Sequence, residues 1–310
     1  MSHDTRVGLV TATYNHADHL AAAVDSALAQ SHTPLEYEVL DDGSTDDTRA
    51  VLARYGDRVA WETHVNMGQA MTLNKGWQRS GGEILGYLSS DDLLEPEAAA
   101  QAVRVLAANP AAVAVYCDFE LIDEHGARIR TKRALPYDER EMIENLVCFP
   151  GPGAFFRREV FLSTGGWDGV LRQVPDFDFW LRISRFGTFV HIPQVLAQYR
   201  IHDGSASFRP MPVERAEEII GVVDKLWTQQ GARLRAAGYS EARSRSMALL
   251  FAARNHFAAR RTGTGLAYVW RAWRLAPGRM LEATSWRIVV GGLLRRPIYL
   301  LRALLQRRSS

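Results

Sequence analysis

The sequence predicts an α/β fold on a doubly wound sheet, and three observations lead there. Short apolar runs alternate with amphipathic stretches over the first hundred residues. Polar, mostly acidic clusters follow directly on the ends of those runs. Beyond about Pro212 the strand-like runs stop and helical periodicity takes over. Alternating strand and helix signals describe a sheet covered by helices on both faces. In such sheets ligands bind outside the carboxyl ends of the strands, where these polar clusters fall.

Arg6 to Thr13 (RVGLVTAT) reads as a buried parallel strand. Leu20, Val24, Ala27 and Leu28 then recur at i, i+4, i+7 and i+8, one face of a helix. Tyr37 to Leu40 is a second strand, stopped by Asp41-Asp42-Gly43-Ser44, and Asp46 to Tyr55 is helical. Val59 to His64 is a third strand and Ala70 to Arg79 a helix closed by Gly81-Gly82. Glu83 to Leu88 is a fourth strand ending at Ser89-Ser90-Asp91-Asp92, and Glu95-Pro96-Glu97 opens the next helix. Val113 to Phe119 and Glu120 to Asp123, before Gly126, read as strand and hairpin. Gly151-Pro152-Gly153 and Gly165-Gly166-Trp167 are turns around an apolar stretch. Phe177 to Phe186 is a helix, and Val190 to Arg200 a strand leading to His202.

The chain has 310 residues, 47% hydrophobic and 23% charged, which excludes wholesale disorder. Cys117 and Cys148 are too few for a disulfide framework or a four-cysteine zinc site, and both read as small buried hydrophobes. The net charge of +2 hides an asymmetry: residues 211–310 hold 18 Lys/Arg against 6 Asp/Glu, or +12, leaving −10 on 1–210. We therefore divide the chain into an acidic α/β domain, 1–210, and a basic, mainly helical extension, 211–310. Met1 to Arg6 is polar and no run of eighteen apolar residues occurs, so the expected location is cytoplasmic. Residues 254–310 carry twelve arginines, with Trp270, Trp273, Trp286 and Tyr299 interleaved and Ile298, Leu301 and Leu305 on one helical face. That composition suits peripheral attachment to an anionic membrane surface; the bland alternative is a helical cap with a solvated arginine face. No nucleic-acid motif accompanies the charge, so nucleic acid is not an expected partner.

Two acidic clusters hold the candidate chemistry. In Asp41-Asp42-Gly43-Ser44-Thr45-Asp46, the carboxylates can accept hydrogen bonds from a nucleobase or ribose, or Ser44 or Asp46 can simply cap the next helix. Asp91 and Asp92 leave a buried strand side by side and repel unless a cation or a donor network lies between them. A hard divalent ion bridging carboxylate and substrate phosphates meets that need.

Val10-Thr11-Ala12-Thr13-Tyr14-Asn15, the Asp41–Asp46 cluster, Asn66-Met67-Gly68 with Asn74, and Gly82-Glu83 running into Ser89-Ser90-Asp91-Asp92 together resemble the family 2 glycosyltransferases. Gly165-Gly166-Trp167-Asp168, Pro175-Asp176-Phe177-Asp178 and Tyr199-Arg200-Ile201-His202 continue the pattern, so the resemblance covers residues 5–208. It implies a GT-A fold and inverting transfer of a sugar from a nucleotide-diphosphate donor to a saccharide or lipid-linked saccharide acceptor in cell-surface polysaccharide or glycolipid assembly. By position it implies that Thr11 and Asp42 hold the base, Asp91 the ribose side, and Asp92, with His202, a divalent Mn²⁺ or Mg²⁺. It implies Asp176 as general base, with Arg200 and His202 near the diphosphate or metal.

The chain departs from that pattern at two places. Ser89 stands where many relatives carry an acid, and Pro175 replaces the usual Glu before the base. Asp178 rivals Asp176 for the base role, but it points about 200° away on the same helix. His16, His19 and His32 read as surface residues, Trp167 as core or as a platform for an acceptor sugar, and Asn66 and Asn74 as residues ordering the loop and helix beside the donor. The competing functions are a silent nucleotide-sugar binding protein and a nucleotidyltransferase. The latter should show a glycine- and basic-rich phosphate loop, which Val10 to Asn15 lacks.

Overall fold

The computed structural model describes residues 5–202 and 211–293. They fall into two compact units, 5–137 with 148–202, and 138–147 with 211–293.

The first unit is built on one mixed sheet. Its strands are β1 (Val7–Thr13), β2 (Leu35–Asp41), β3 (Ala60–Thr63), β4 (Ile84–Tyr87), β5 (Leu93–Leu94), β6 (Ala112–Ile122), β7 (Arg128–Lys132), β8 (Phe155–Arg157) and β9 (Thr188–Arg200). They lie in the order β3-β2-β1-β4-β8-β6-β9-β5, with β7 paired to β6. The β3-β2-β1-β4 half is parallel throughout. Strand β8 runs antiparallel to both β4 and β6, and β9 returns parallel to β6. The helices are α1 (Ala17–Leu28), α2 (Thr48–Ala53), α3 (Gln69–Arg79), α4 (Ala98–Ala108), α5 (Glu139–Glu144, in the second unit), α6 (Arg158–Thr164) and α7 (Pro175–Ile183).

Successive residues of a strand point to opposite faces, and β1 shows what covers each. Leu9 packs with Ala23 and Ala27 of α1 and Ala98, Ala102 and Leu106 of α4. Its neighbour Val10 meets α3, where a Cβ on Gly76 would lie 2.6 Å from Val10 Cγ1. The small residues let helix backbones approach the sheet closely, while each fully buried Leu or Val contributes about 1.5–3 kcal/mol. On the α3 side Trp77 is fully buried among Phe156, Phe161, Trp167 and Phe179, with ring centroids 5.2–6.3 Å away. Its indole nitrogen donates to Gly86 O at 2.9 Å. This is a mixed, Rossmann-like α/β sheet, and the chain continues into a helical region.

The expected elements recur with shifted ends. The 113–123 segment forms one eleven-residue strand, and the hairpin turn comes only at Asp123, whose carboxylate accepts from His125 N and Ala127 N. The expected 46–55 helix is six residues, continued by a 3₁₀ turn at Gly56–Arg58. Of the two cysteines, Cys117 is buried, but Cys148 is exposed, against expectation.

The second unit joins α5 to α8 (Val213–Ala236), α9 (Glu241–Ala258) and α10 (Thr262–Leu275), with residues 283–293 also helical. Asp138 caps α5 through Arg140 N and Glu141 N, and Ser240 caps α9 through Arg243 N. Buried Ala216, Ile219, Val223, Leu226 and Gln230 form the inward stripe of α8. Glu144 explains why α5 belongs here: its buried carboxylate accepts from Arg140, Ser240 N and Arg243, while Arg279 donates to its carbonyl. No helix among the described residues is long and apolar enough to cross a membrane. Ile298, Leu301 and Leu305 lie outside the described residues.

Candidate active site

The loops after β1 and β2 are stitched to each other by the acidic cluster. Gly43 has φ +77, and a Cβ there would sit 3.0 Å from His64 O, so glycine alone fits the turn. Asp41 accepts from Ser44 N at 3.0 Å and from the Thr63 hydroxyl. Asp42, 3% exposed, accepts from Met67 N at 2.7 Å and Gly68 N at 2.9 Å, and Asn66 donates to its carbonyl at 2.9 Å. Asp46 takes the first amide of α1, Ala17 N, and also Thr48 N and the Thr48 hydroxyl at the start of α2. These bonds hold its carboxyl below the ordinary range, against the opposing effect of burial. Asn15, in the left-handed region at φ 54, accepts from Thr45 N and donates its own amide to Ser44 Oγ.

The two residues expected to hold the base have different settings. Thr11 is wholly buried at the middle of β1, its hydroxyl 3.1 Å from Tyr37 OH, so it belongs to the core and not to a ligand surface. Asp42 stands at the strand end as expected, but its oxygens shape the 64–68 loop. Asn66 orders that loop as the sequence suggested, through Asp42 O.

The second cluster divides its two carboxylates between different tasks. Asp92 is 3% exposed and accepts from Arg200 N at 2.9 Å and from the Ser89 hydroxyl. Burial first, and the adjacent Asp91 second, push its carboxyl well above the ordinary range. Asp92 thus anchors the end of β9 and is not among the residues that converge on a cation position. Arg200 is equally committed: Nε donates to Asp91 O at 2.9 Å and Nη1 to Asp123 O and Glu124 O. The backbone carbonyls it draws together place it under the site, in place of the expected reach to a diphosphate.

Asp91 is the carboxylate that converges. Its Oδ2 lies 3.0 Å from His202 Nε2. His16, the residue after Tyr14-Asn15, brings the third group; one ligand atom each from His16, Asp91 and His202 lies within 4.8 Å of the others. The His16 ring is oriented by Ser90, with Nδ1 2.7 Å from Oγ. His19 packs against His202 with ring centroids 5.0 Å apart, and burial, then Arg200 and His202, lower its pKa. Adjacent ligands on a small divalent ion with bonds of about 2.1 Å stand about 3 Å apart. The Asp91–His202 separation fits, and two imidazoles beside one carboxylate suit a divalent transition-metal ion better than Mg²⁺. The cation-competent group among the described residues thus contains Asp91 where Asp92 was expected, and includes His16, which reads as a surface histidine. The one signal for it was its position just past the end of β1.

Helix α7 separates the two rival bases. Asp178 is 2% exposed and paired to Arg182 Nε at 2.7 Å, and Arg182 also donates to Thr164 O and Gly166 O. Asp176, next to Pro175 in the first turn, accepts backbone amides at the helix start, yet burial raises its pKa. Tyr87, at the end of β4, feels the charges of both Asp176 and Asp92, and burial above all pushes its hydroxyl well above the usual range. Asp176 and Asp92 thus both lie within electrostatic reach of Tyr87. Trp167 is core, 4% exposed and edge-on to Tyr87, with its backbone clamped by Asn74 through Nδ2 to Trp167 O and Trp167 N to Oδ1. Gly166 is obligatory there, with φ +77 and Asn74 Oδ1 only 2.2 Å from where a Cβ would be. His32 is likewise buried, its Nε2 2.8 Å from Thr5 O.

A family model described as glycosyl transferase family 2 matches residues 9–164, half of the chain. An uncharacterized glycosyltransferase of Rickettsia typhi is 29% identical over 209 residues, 65% of this chain and 65% of that one. Hyaluronan synthase of Pasteurella multocida is 28% identical over 236 residues, 74% of this chain but 24% of the synthase. The match therefore spans less than two thirds of either relative's length. Among solved structures, Staphylococcus aureus TarS 1-349 in complex with UDP-GlcNAc superposes with a TM-score of 0.64 at 15% identity, over 93% of this chain and 89% of that chain. The mannosyltransferase of Pyrobaculum calidifontis in complex with GDP-Man and Mn²⁺ gives 0.56 at 20% identity, over 94% and 87%. At these identities the structures speak for the fold, and the family match speaks for the sequence: the chain belongs to glycosyl transferase family 2.

Proposed function

We propose that the protein is an inverting glycosyltransferase that moves a sugar from a nucleotide-diphosphate donor to a hydroxyl of a saccharide or lipid-linked saccharide. The observation that carries this reading is the cation-competent His16–Asp91–His202 group just beyond β4, beside which a separate carboxylate, Asp176, is raised by burial and acts electrostatically on Tyr87 at the end of that strand. Relatives named as hyaluronan and chondroitin synthases support a role in polysaccharide assembly, and neighbours crystallised with UDP-GlcNAc or GDP-Man support a nucleotide-sugar donor.

In this reading Asp176 accepts the proton of the acceptor hydroxyl. The hydroxyl oxygen attacks the anomeric carbon, the bond to the diphosphate breaks with its electron pair, and the configuration inverts. A carboxylate whose pKa is raised by burial is a stronger base than an exposed one. The developing positive charge at the sugar is stabilised by that nearby anion. A divalent cation bound at His16, Asp91 and His202 would neutralise the leaving diphosphate, so no strong general acid is needed. Asp42 and Asn66 keep the 64–68 loop in place beside the nucleotide-facing strand ends.

A thermal-shift panel of nucleoside diphosphates, with and without Mn²⁺ or Mg²⁺, tests the reading. A ligand at about 100 times its Kd stabilises the fold by about 2.7 kcal/mol, so the preferred base is expected to raise Tm, and more so with metal. No response to any nucleotide in any metal would overturn it. Product analysis by NMR then checks inversion; retained anomeric configuration refutes the single-base mechanism.

A further inference from the structure

We propose that the second unit docks on an anionic lipid surface through two apolar helix stripes that it turns toward solvent. On α10, Leu266, Trp270 and Trp273 are exposed at 59%, 57% and 42%. At 100° per residue they fall within about 60° of arc. The packed residues of the same helix, Gly265, Tyr268 and Ala272, occupy the opposite side. Residues 283–293 repeat the arrangement: Trp286, Val290 and Leu293 are exposed at the same i, i+4, i+7 spacing, while Ser285, Val289 and Gly292 face inward. A helix of a soluble domain buries its apolar stripe; these two helices bury one narrow face and also present a second, large apolar one to solvent.

The flanking charge identifies the occupant. Arg274 follows the α10 stripe at about 80° and Arg287 the second stripe at about 100°, and both are exposed. Residues 260–293 hold six arginines and a single acid, Glu282. Arginine beside tryptophan, leucine and valine on a helix surface matches a bilayer interface, with rings among the acyl-chain ends and guanidinium groups at anionic headgroups. The polar atom of Trp286 supports insertion, because its indole nitrogen already donates to Met280 O at 2.7 Å. A second copy seated through the same two stripes would bring like arginines face to face, with Glu282 the single acid of residues 260–293 to oppose them. Docking goes beyond the catalytic reading and stands whether or not the sugar-transfer assignment holds.

Flotation of the full-length protein with vesicles tests the proposal, using phosphatidylcholine alone and phosphatidylcholine with about one third phosphatidylglycerol. Binding is expected only to the anionic vesicles, falling as salt rises, with a blue shift of tryptophan emission. R274Q/R287Q is expected to weaken partition about thirtyfold, at about fivefold per arginine, and W270A/W273A at least about tenfold. Both substituted pairs are exposed, so circular dichroism should be unchanged; if the tryptophan variant misfolds, the arginine variant and the salt series decide. Equal binding to neutral vesicles, no binding at all, or wild-type binding by both variants overturns the proposal. So does a dimer that W270A/W273A converts to monomer with flotation unaltered, which would assign the stripes to a second copy.

Discussion

Replacing Asp176 and Asp178 one at a time by Asn should produce opposite phenotypes. Asp178 is 2% exposed and bonded to Arg182, which also holds the carbonyls of Thr164 and Gly166. Asp178→Asn leaves a buried guanidinium without its counter-charge, a loss of about 3 kcal/mol or more. At about 2–4 °C per kcal/mol for a domain of this size, Tm should fall by about 6–12 °C. Asp176 is different, since burial raises its pKa and folding therefore carries a penalty for keeping this carboxyl ionised. A carboxyl raised in this way loses stability as pH rises from its unfolded value through its folded one. Asp176→Asn removes that penalty, so Tm at neutral pH should stay level or rise, while kcat falls by about 10²–10⁴-fold with nucleotide affinity kept. Differential scanning fluorimetry at pH 7.5, nucleotide titration and a transfer assay on both variants measure all three quantities. Full transfer by Asp176→Asn, or a Tm loss in it equal to that of Asp178→Asn, refutes the division of roles.

Manganese binding by the enzyme alone, read from the free-ion EPR signal, should weaken at least about tenfold in His16→Gln and Asp91→Asn, and change little in Asp92→Asn, which still accepts from Arg200 N. Loss only in the Asp92 variant would restore that residue as the ligand. Thr11→Val should leave nucleotide affinity unchanged and lower stability by about 1 kcal/mol, because Tyr37 OH loses its partner; a nucleotide-binding defect at unchanged stability would return Thr11 to the site. Gly166→Ala should destabilise by about 1–3 kcal/mol through its φ of +77 and the clash with Asn74, checked by urea unfolding. The acid limb of the rate profile should lie above the ordinary carboxylate range, because Asp176 must be ionised to act and burial raises its pKa; a profile flat down to pH 4 contradicts that.

The sheet was legible because hydrophobic periodicity is a local property. Leu20, Val24 and Ala27 are each fully buried on α1, and the fourth strand ends within one residue of its expected place. What sequence could not convey was how an acidic cluster divides its oxygens. Asp91 and Asp92 are chemically identical neighbours, and their tasks differ only because Arg200 N, 108 residues away, meets Asp92 and not Asp91. His16 was invisible for the same reason, since its partners lie 74 residues or more along the chain. The membership of 138–147 in the second unit rests on Glu144 meeting Ser240 and Arg243, which no local pattern announces.

The net −10 on residues 1–210 suggests a carboxylate-lined cleft that repels an anionic donor, and the structure argues against that picture. Asp41, Asp42, Asp46, Asp92 and Asp123 each accept backbone amides at turns or helix starts. A carboxylate bound by amide donors presents little free charge to a ligand, because the dipoles of those donors offset it locally. Asp92 goes further, since burial favours its neutral form. The negative charge that faces the cation position therefore reduces largely to Asp91, with Arg200 held beneath it. With Ser89 in place of an acid and His16 supplying a neutral nitrogen, a bound divalent ion would keep most of its positive charge for a diphosphate. The acidity of residues 1–210 is in this sense architectural: it fixes the loops at the strand ends, and the proposed mechanism draws on only two half-buried carboxylates, Asp91 and Asp176.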